Sequence, residues 1–163
     1  MGVFLFDLFK FFLYIIHMIY WFTGQPGAGK TTLAKHLMDN LGEDNPIHID
    51  GDDLRDIFQN KDYSELGRRK NIERAQDIAR FLSKTNRTVV VSLVSPYKDQ
   101  RDEFKDSNDV IEVYVHTTEE RGREGFHVSN YEPPTERFID IDTTNTNETE
   151  SYYELIKKLK ENI

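Results

Sequence analysis

Gly24-Gln25-Pro26-Gly27-Ala28-Gly29-Lys30-Thr31-Thr32 fills every position of the pattern G-x-x-x-x-G-K-[ST]. The apolar run Ile19-Tyr20-Trp21-Phe22 before it suits a buried strand, and a helical pattern starts near Gly29. Strand, glycine-rich turn and helix in that order are the context the pattern needs to bind phosphate. Backbone N–H groups of such a loop turn inward on phosphate oxygens, and the helix N-terminus adds partial positive charge. Lys30 supplies a mobile cation for β- and γ-phosphates, and the Thr31 hydroxyl is a ligand for Mg2+. A plain glycine-rich turn is the competing reading, but every required position is filled and both flanks fit. The expectation is an ATP-type nucleotide held by Gly24, Gly27, Ala28, Gly29, Lys30, Thr31 and Thr32, together with Mg2+.

Bulk properties narrow this. A chain of 163 residues makes one domain with a core large enough to stand without staples. With no cysteine and no Cys/His cluster there is neither a disulfide framework nor a zinc site, which suits a cytoplasmic protein. The formal net charge of −8 argues against nucleic-acid binding, which needs a basic face. An anionic substrate must then be met by a local basic cluster.

The amino terminus stands apart. Val3 to Ile16 is rich in Phe, Leu, Ile and Tyr, interrupted by Asp7 and Lys10. A membrane span needs about 20 apolar residues, a length reached only by borrowing Ile19 to Phe22 from the strand. No basic segment precedes the run and no small-residue cleavage site follows it, so a signal peptide fits poorly. Residues 1–17 are expected to be an extension outside the fold, with a mis-assigned start ahead of Met18 as the preferred explanation and a membrane-surface anchor as the alternative. No stable membrane insertion is expected.

Downstream, strand and helix patterns alternate. Ile47 to Asp50 reads as a strand, and Asp52 to Phe58 as a short helix with an acidic N-cap, Asp52 or Asp53. Ser64 to Ser83 carries Ile72, Ala75, Ile78, Ala79 and Leu82 at three- and four-residue spacing, an amphipathic helix. Thr88 to Val94 is a β-branched run of the kind buried in parallel sheets. Pro96 is expected to open a helix, Val110 to Val115 to form a strand and Phe138 to Asp142 an outer strand. Thr143 to Glu150 reads as a loop, and Tyr152, Leu155, Ile156 and Leu159 as one face of a last helix. The fold class expected is α/β: a five-stranded parallel sheet flanked by helices, doubly wound around the phosphate loop as in P-loop NTPases.

Other motifs choose among phosphate-loop proteins. Asn60-Lys61-Asp62-Tyr63 has its aspartate one place too early for the N/T-K-x-D segment of a GTPase and follows no strand, so it reads as a solvated turn. The length is too short for a helicase or transporter ATPase core and fits a small-molecule kinase.

Asp50-Gly51-Asp52, Tyr63-Ser64 with Arg68 and Asn71, Val94-Ser95-Pro96-Tyr97 with Arg101, Gly125-Phe126 and Tyr131-Glu132-Pro133-Pro134 follow one another in this order. The ordered set, from Met18 to about Asp142, resembles the adenylylsulfate kinases. That resemblance implies transfer of the ATP γ-phosphoryl to the ribose 3′-hydroxyl of adenosine 5′-phosphosulfate (APS), giving PAPS in sulfate assimilation. It implies that Asp52, Arg55, Arg68 and Asn71 contact substrate, that Tyr63 (usually Phe in the family) and Phe126 beside Gly125 sandwich its adenine, and that Val94 and Ser95 bind it. It also implies that Arg121 lies against the ATP adenine. The family's serine at the Ser95 position is often described as a phosphoserine; direct in-line transfer needs no such intermediate, so Ser95 is read as a substrate contact.

Chemistry of the residues weighs the same assignments. APS carries two negative charges on a phosphate–sulfate anhydride, and guanidinium forks match such oxygens bidentately. Arg55, Arg68, Arg69 and Arg74 form the anticipated basic cluster, with Arg69 and Arg74 read as a solvated helix face. Phosphoryl transfer needs positioning, Mg2+ and a carboxylate near the attacking hydroxyl. Asp52 is expected as substrate ligand and candidate base, Asp50 as ligand of Mg2+-bound water, and Lys30, Asp52 and Ser95 as the catalytic set. His36, His48, His116 and His127 lack metal-ligand spacing and read as structural or surface. Only Thr117 to Glu124 occupies the interval where the family carries a long lysine-rich lid, and a loop this short is expected to exclude water less well. Two other readings therefore stand beside the first: a kinase for a nucleoside, sugar or antibiotic hydroxyl, and a non-catalytic nucleotide-binding regulator. A homodimer is compatible with all three.

Overall fold

The computed structural model describes residues 17–42 and 45–162. In chain order the elements are β1 (Ile19–Thr23), α1 (Lys30–Asn40), β2 (Ile47–Asp50), α2 (Gly51–Ile57), α3 (Glu65–Ser83), β3 (Val89–Ser92), α4 (Lys98–Ser107), β4 (Val110–His116), a 3₁₀ turn (Glu124–Phe126), β5 (Phe138–Asp142) and α5 (Glu148–Glu161). The strands form one sheet in the order β2-β3-β1-β4-β5, and every neighbouring pair is parallel.

Alternation along β1 explains the two-sided core. Tyr20 and Phe22 point to one face and pack with Leu33 and Leu37 of α1 and Leu155 and Leu159 of α5. Ile19 and Trp21 point to the other, against Ile72, Ala75 and Ala79 of α3 and Phe104 of α4. All five residues of β1 are buried, as a central parallel strand requires. Truncating Ile72 or Leu37 to alanine would cost about 2–5 kcal/mol. Pairing places Asp50 beside Ser92 and Ser92 beside Phe22 at the carboxyl ends of β2, β3 and β1. The phosphate loop leaves β1 at that same edge, where open parallel sheets bind their ligands.

Four boundaries differ from the sequence reading. Asp50 rather than Asp52 or Asp53 caps α2, its Oδ1 accepting the Asp52 N–H at 2.9 Å. Pro96 does not open α4: Tyr97 is its N-cap and Ser95 takes a left-handed backbone with φ of 45°. The loop after β5 ends at Asn147, where Asn147 and Glu150 form a reciprocal capping box for α5. β3 is also shorter than the β-branched run, covering Val89–Ser92.

The expected amino-terminal extension lies outside the described residues up to position 16. At its end the His17 N–H donates to Thr88 Oγ1 at 2.8 Å, and Met18 packs against the core. Among the described residues no helix is long and apolar enough to cross a membrane.

Candidate active site

Gly24 and Gly27 shape the phosphate loop. Gly24 has φ of 146°, and a Cβ there would stand 2.0 Å from the Val115 carbonyl oxygen, so the loop can leave β1 only without a side chain. Gly27 has φ of 85°, and a Cβ would meet the Arg123 side chain at 3.1 Å. Lys30 opens α1 and is 9% exposed, its Nζ donating back to the Gln25 carbonyl at 2.9 Å. Burial pushes its ammonium down to about 8, against the pull of Asp50 and Asp52 and with some help from Arg123.

Below the loop, two expected Mg2+ contacts meet. Thr31 Oγ1 donates to Asp50 Oδ2 at 3.1 Å, and Ser92 Oγ donates to the same oxygen at 3.1 Å. His48 completes the row, its Nε2 lying 2.8 Å from Ser92 Oγ; because Ser92 gives its own proton to Asp50, the imidazole is the donor. Burial works against ionisation of Asp50, but the Asp52 N–H, the two hydroxyls and His48 together hold its carboxyl below the usual carboxylate range. Burial lowers the pKa of His48, which suits a neutral imidazole. Hard oxygens from one hydroxyl and one carboxylate fit a Mg2+ that retains waters and phosphate ligands. No cluster of three metal-ligating side chains occurs among the described residues, and Mg2+ shared with phosphates does not need one.

Around the Asn60–Tyr63 turn stands a basic and aromatic shelf. Arg55 Cζ lies 4.2 Å from the centre of the Tyr63 ring, and Arg55 Nη1 donates to the Asn60 and Asp62 carbonyls at 3.2 and 2.9 Å. Arg68 Nε donates to the Tyr63 carbonyl at 2.7 Å. The Asn60–Tyr63 turn read as merely solvated is thus the seat of Arg55. The Tyr63 ring is 60% exposed and Phe126 69% exposed, with Arg123 Cζ 5.5 Å from the Phe126 ring centre. Asp52 is exposed on the first turn of α2. Gly125 has open space around it.

Two assigned residues are buried and carry polar atoms without a protein partner. Asn71, 2% exposed, donates from Nδ2 to the Gly51 carbonyl at 3.2 Å while its Oδ1 is left over. Ser95 Oγ is likewise unpaired. Its backbone is held from behind, since Arg101 Nη1 donates to the Ser95 carbonyl at 2.6 Å. The Val94 carbonyl accepts from the Gly24 N–H and, at 2.8 Å, from Thr23 Oγ1. Buried polar atoms without a protein partner call for one from elsewhere, which a ligand can supply.

Arg69 and Arg74 lie partly exposed on α3, as a solvated face would, and each has partners there. Arg69 pairs with Glu65 and Asp99 and stacks on Tyr97 at 4.1 Å, tying α3 to α4, and Arg74 stacks on Phe58 at 4.4 Å.

The short segment after β4 is tied to the phosphate loop through Arg121. Arg121 Nη1 donates to Gly27 O, Ala28 O and Thr143 Oγ1 at 3.2–3.4 Å, and Nη2 donates to Thr143 O at 2.8 Å. Arg121, Thr143, Thr146 and Asn147 line a cavity of about 280 Å³ that reaches Gly29, Thr32 and Leu33. His127 Nε2 donates to the Pro26 carbonyl at 3.2 Å. His48 and His127 therefore touch the site, although nothing in their spacing signalled it. Arg101, quoted only as part of a motif, forms a buried ion pair with Glu112 at 2.6 Å, which Lys105 joins from the other side. A carboxylate in the middle of the apolar run Val110–Val115 was the available signal for that pair.

Comparison with known proteins agrees with this arrangement. The family model of adenylylsulphate kinase matches residues 17–140. An adenylyl-sulfate kinase of Burkholderia ambifaria is 30% identical over 165 residues, covering 86% of this chain and 91% of the relative. Another from Penicillium chrysogenum is 31% identical over 141 residues, covering 74% of this chain and 66% of that protein. The fold matches the Mycobacterium tuberculosis APS kinase CysC, solved in complex with AMPPNP and APS, with a TM-score of 0.73 at 22% identity over 87% of this chain and 96% of that one.

Proposed function

The chain belongs to the adenylylsulphate kinase family, and from that premise we propose that it transfers the γ-phosphoryl group of ATP to the ribose 3′-hydroxyl of APS. The observation that carries the proposal is the pairing of the phosphate loop with a shelf bearing Arg55, Tyr63 and Arg68, next to two unpaired buried polar atoms, Ser95 Oγ and Asn71 Oδ1. A dianionic nucleotide with an aromatic base needs guanidinium groups, a ring to stack on and a few buried polar contacts, and these are the groups present.

Phosphoryl transfer asks the protein for alignment and charge rather than covalent chemistry. Lys30, now bonded to the Gln25 carbonyl, is the cation for the transferred group. A bound Mg2+ would supply positive charge against the negative charge that develops during transfer. Thr31 would hold it directly and Asp50 through water, with Ser92 fixing the carboxylate. Arg121 and the cavity beyond it support an adenine seat on the donor side. Asp52 lies two residues beyond Asp50, exposed in the first turn of α2, and is the carboxylate that would hold the acceptor hydroxyl or take its proton. Ser95 is a contact for acceptor; its hydroxyl is buried, which favours binding over formation of a phosphoserine.

The test uses ATP labelled in its γ-phosphate, Mg2+, and either APS or no acceptor, on the wild type and on Lys30→Ala. Label in PAPS that requires both APS and Lys30 supports the proposal. Nucleotide binding without APS-dependent transfer would redirect it to another hydroxyl acceptor or to a regulator.

A further inference from the structure

Gln25 is bonded twice over to a segment 103 residues away. Its side-chain Nε2 donates to the Val128 carbonyl at 2.8 Å, and its Oε1 accepts the Val128 N–H at 2.9 Å. The same residue's backbone carbonyl accepts from Lys30 Nζ at 2.9 Å. Val128 is buried within a strap that carries Phe126 two residues earlier. At its far end the strap is tied to the Ser95 loop. The Glu132 N–H donates to Pro96 O at 2.9 Å, and Arg101 donates to both Glu132 O and Ser95 O, at 2.5 and 2.6 Å. Between these anchors the Tyr131 hydroxyl meets Thr23 Oγ1 at 2.8 Å at the end of β1.

We infer that Gln25 is a positioning residue that passes occupancy of the phosphate loop to the acceptor-facing strap bearing Phe126. The inference rests on the reading that Lys30 leaves the Gln25 carbonyl to meet nucleotide phosphates. That departure removes a charged donor from one end of Gln25, and the paired amide at its other end carries the change to Val128. A primary amide offers a donor and an acceptor on one carbon, the match for a peptide N–H and C=O; methionine has no donor and only a weak sulfur acceptor, and ionised glutamate only acceptors. The coupling is reciprocal: whatever nucleotide does to the strap, acceptor bound at the strap does to nucleotide affinity.

Amide hydrogen exchange across residues 126–131, with and without a non-hydrolysable Mg2+–ATP analogue, reads the link without reference to the acceptor. In the wild type, analogue binding should slow exchange across the strap by about tenfold, a typical coupling. In Gln25→Met the analogue should bind within about twofold of wild type while the strap no longer responds, since two neutral hydrogen bonds are lost. Gln25→Glu, which keeps the acceptor for the Val128 N–H, should respond in between, and it carries the test if the methionine variant does not fold. In turnover with APS, Gln25→Met should raise the acceptor KM by roughly tenfold with kcat nearly unchanged. An undiminished strap response in Gln25→Met, or a fall in kcat with acceptor KM unmoved, would overturn the inference. Absence of APS-dependent turnover in the wild type counts against the proposed substrate alone, because the exchange measurement still decides the coupling.

Discussion

Thr31 and Asp50, one on the first turn of α1 and the other at the end of β2, are joined by a 3.1 Å hydrogen bond from Thr31 Oγ1 to Asp50 Oδ2. The other Asp50 oxygen caps α2. One carboxylate thus holds the place of a Mg2+ water ligand and fixes the first turn of the helix that carries Asp52 and Arg55. Asp50→Asn keeps an oxygen for the cap but loses the charge. It should lower Mg2+-dependent turnover by roughly 10–100-fold with little change in melting temperature. Asp50→Ala loses the cap as well, for a further cost of about 1 kcal/mol. Equal turnover for Asp50→Asn and wild type across a Mg2+ titration would contradict the assignment.

Lys30 gives the site a pH signature. Burial brings its ammonium down from 10.5 to about 8 in the free protein. Between these values the unfolded chain holds a proton that the folded one has released, so the stability of the free protein rises with pH through this window. Phosphate oxygens beside Lys30 would restore its charge. Nucleotide binding at about pH 9 should therefore take up close to one proton and weaken as pH rises. Calorimetry in buffers of different ionisation enthalpy measures the uptake, and Lys30→Met should abolish it. Binding at this pH without proton uptake would contradict the account of Lys30.

Glu112 sits in the middle of β4 with Arg101 and Lys105 on either side, all three essentially out of solvent. Replacing Glu112 with leucine leaves the buried Arg101 without its counter-charge and Lys105 with Asp102 alone, 3.1 Å away. The expected loss is about 3–5 kcal/mol in urea unfolding. Arg101 also holds the Ser95 and Glu132 carbonyls, so the surviving folded fraction should bind acceptor more weakly. A stability loss below about 1 kcal/mol would show that the pair behaves like an exposed one.

Tyr63 has Arg55 and, farther off, Arg68 over its ring and is 60% exposed. Tyr63→Ala should raise the acceptor KM by about tenfold, the order expected for one lost base–aromatic stack, and leave nucleotide affinity in place. Tyr63→Phe should restore it. Equal losses on both substrates would place Tyr63 in the scaffold instead.

Local patterns were readable where they were local. The phosphate loop, the amphipathic spacing of α3 and the buried run of β1 each lie within one window of sequence, and each falls close to its expected position. The helix cap expected at Asp52 or Asp53 falls on Asp50, and the bonds from Thr31 and Ser92 that fix its carboxylate exist only because pairing sets β2 beside β3. The Asn147–Glu150 capping box was legible in its spacing but hidden by a Thr- and Asn-rich composition that also reads as loop. Gln25 with Val128, Arg121 with Thr143 and Arg69 with Asp99 depend on chain closure over 103, 22 and 30 residues, which no periodicity encodes. The short loop after β4 shows the same limit. Its length was visible, but its packing onto Gly27 and Ala28 follows from where β4 ends beside β1.

The central claim is that the acceptor is APS. Its most direct measurement is kcat/KM for APS set against adenosine, adenosine 5′-monophosphate and small sugar acids under saturating Mg2+–ATP. APS should exceed every other acceptor by at least about 100-fold, because unpaired buried polar groups and guanidinium forks penalise ligands that cannot satisfy them. An acceptor without the sulfate that is used as well as APS would contradict it.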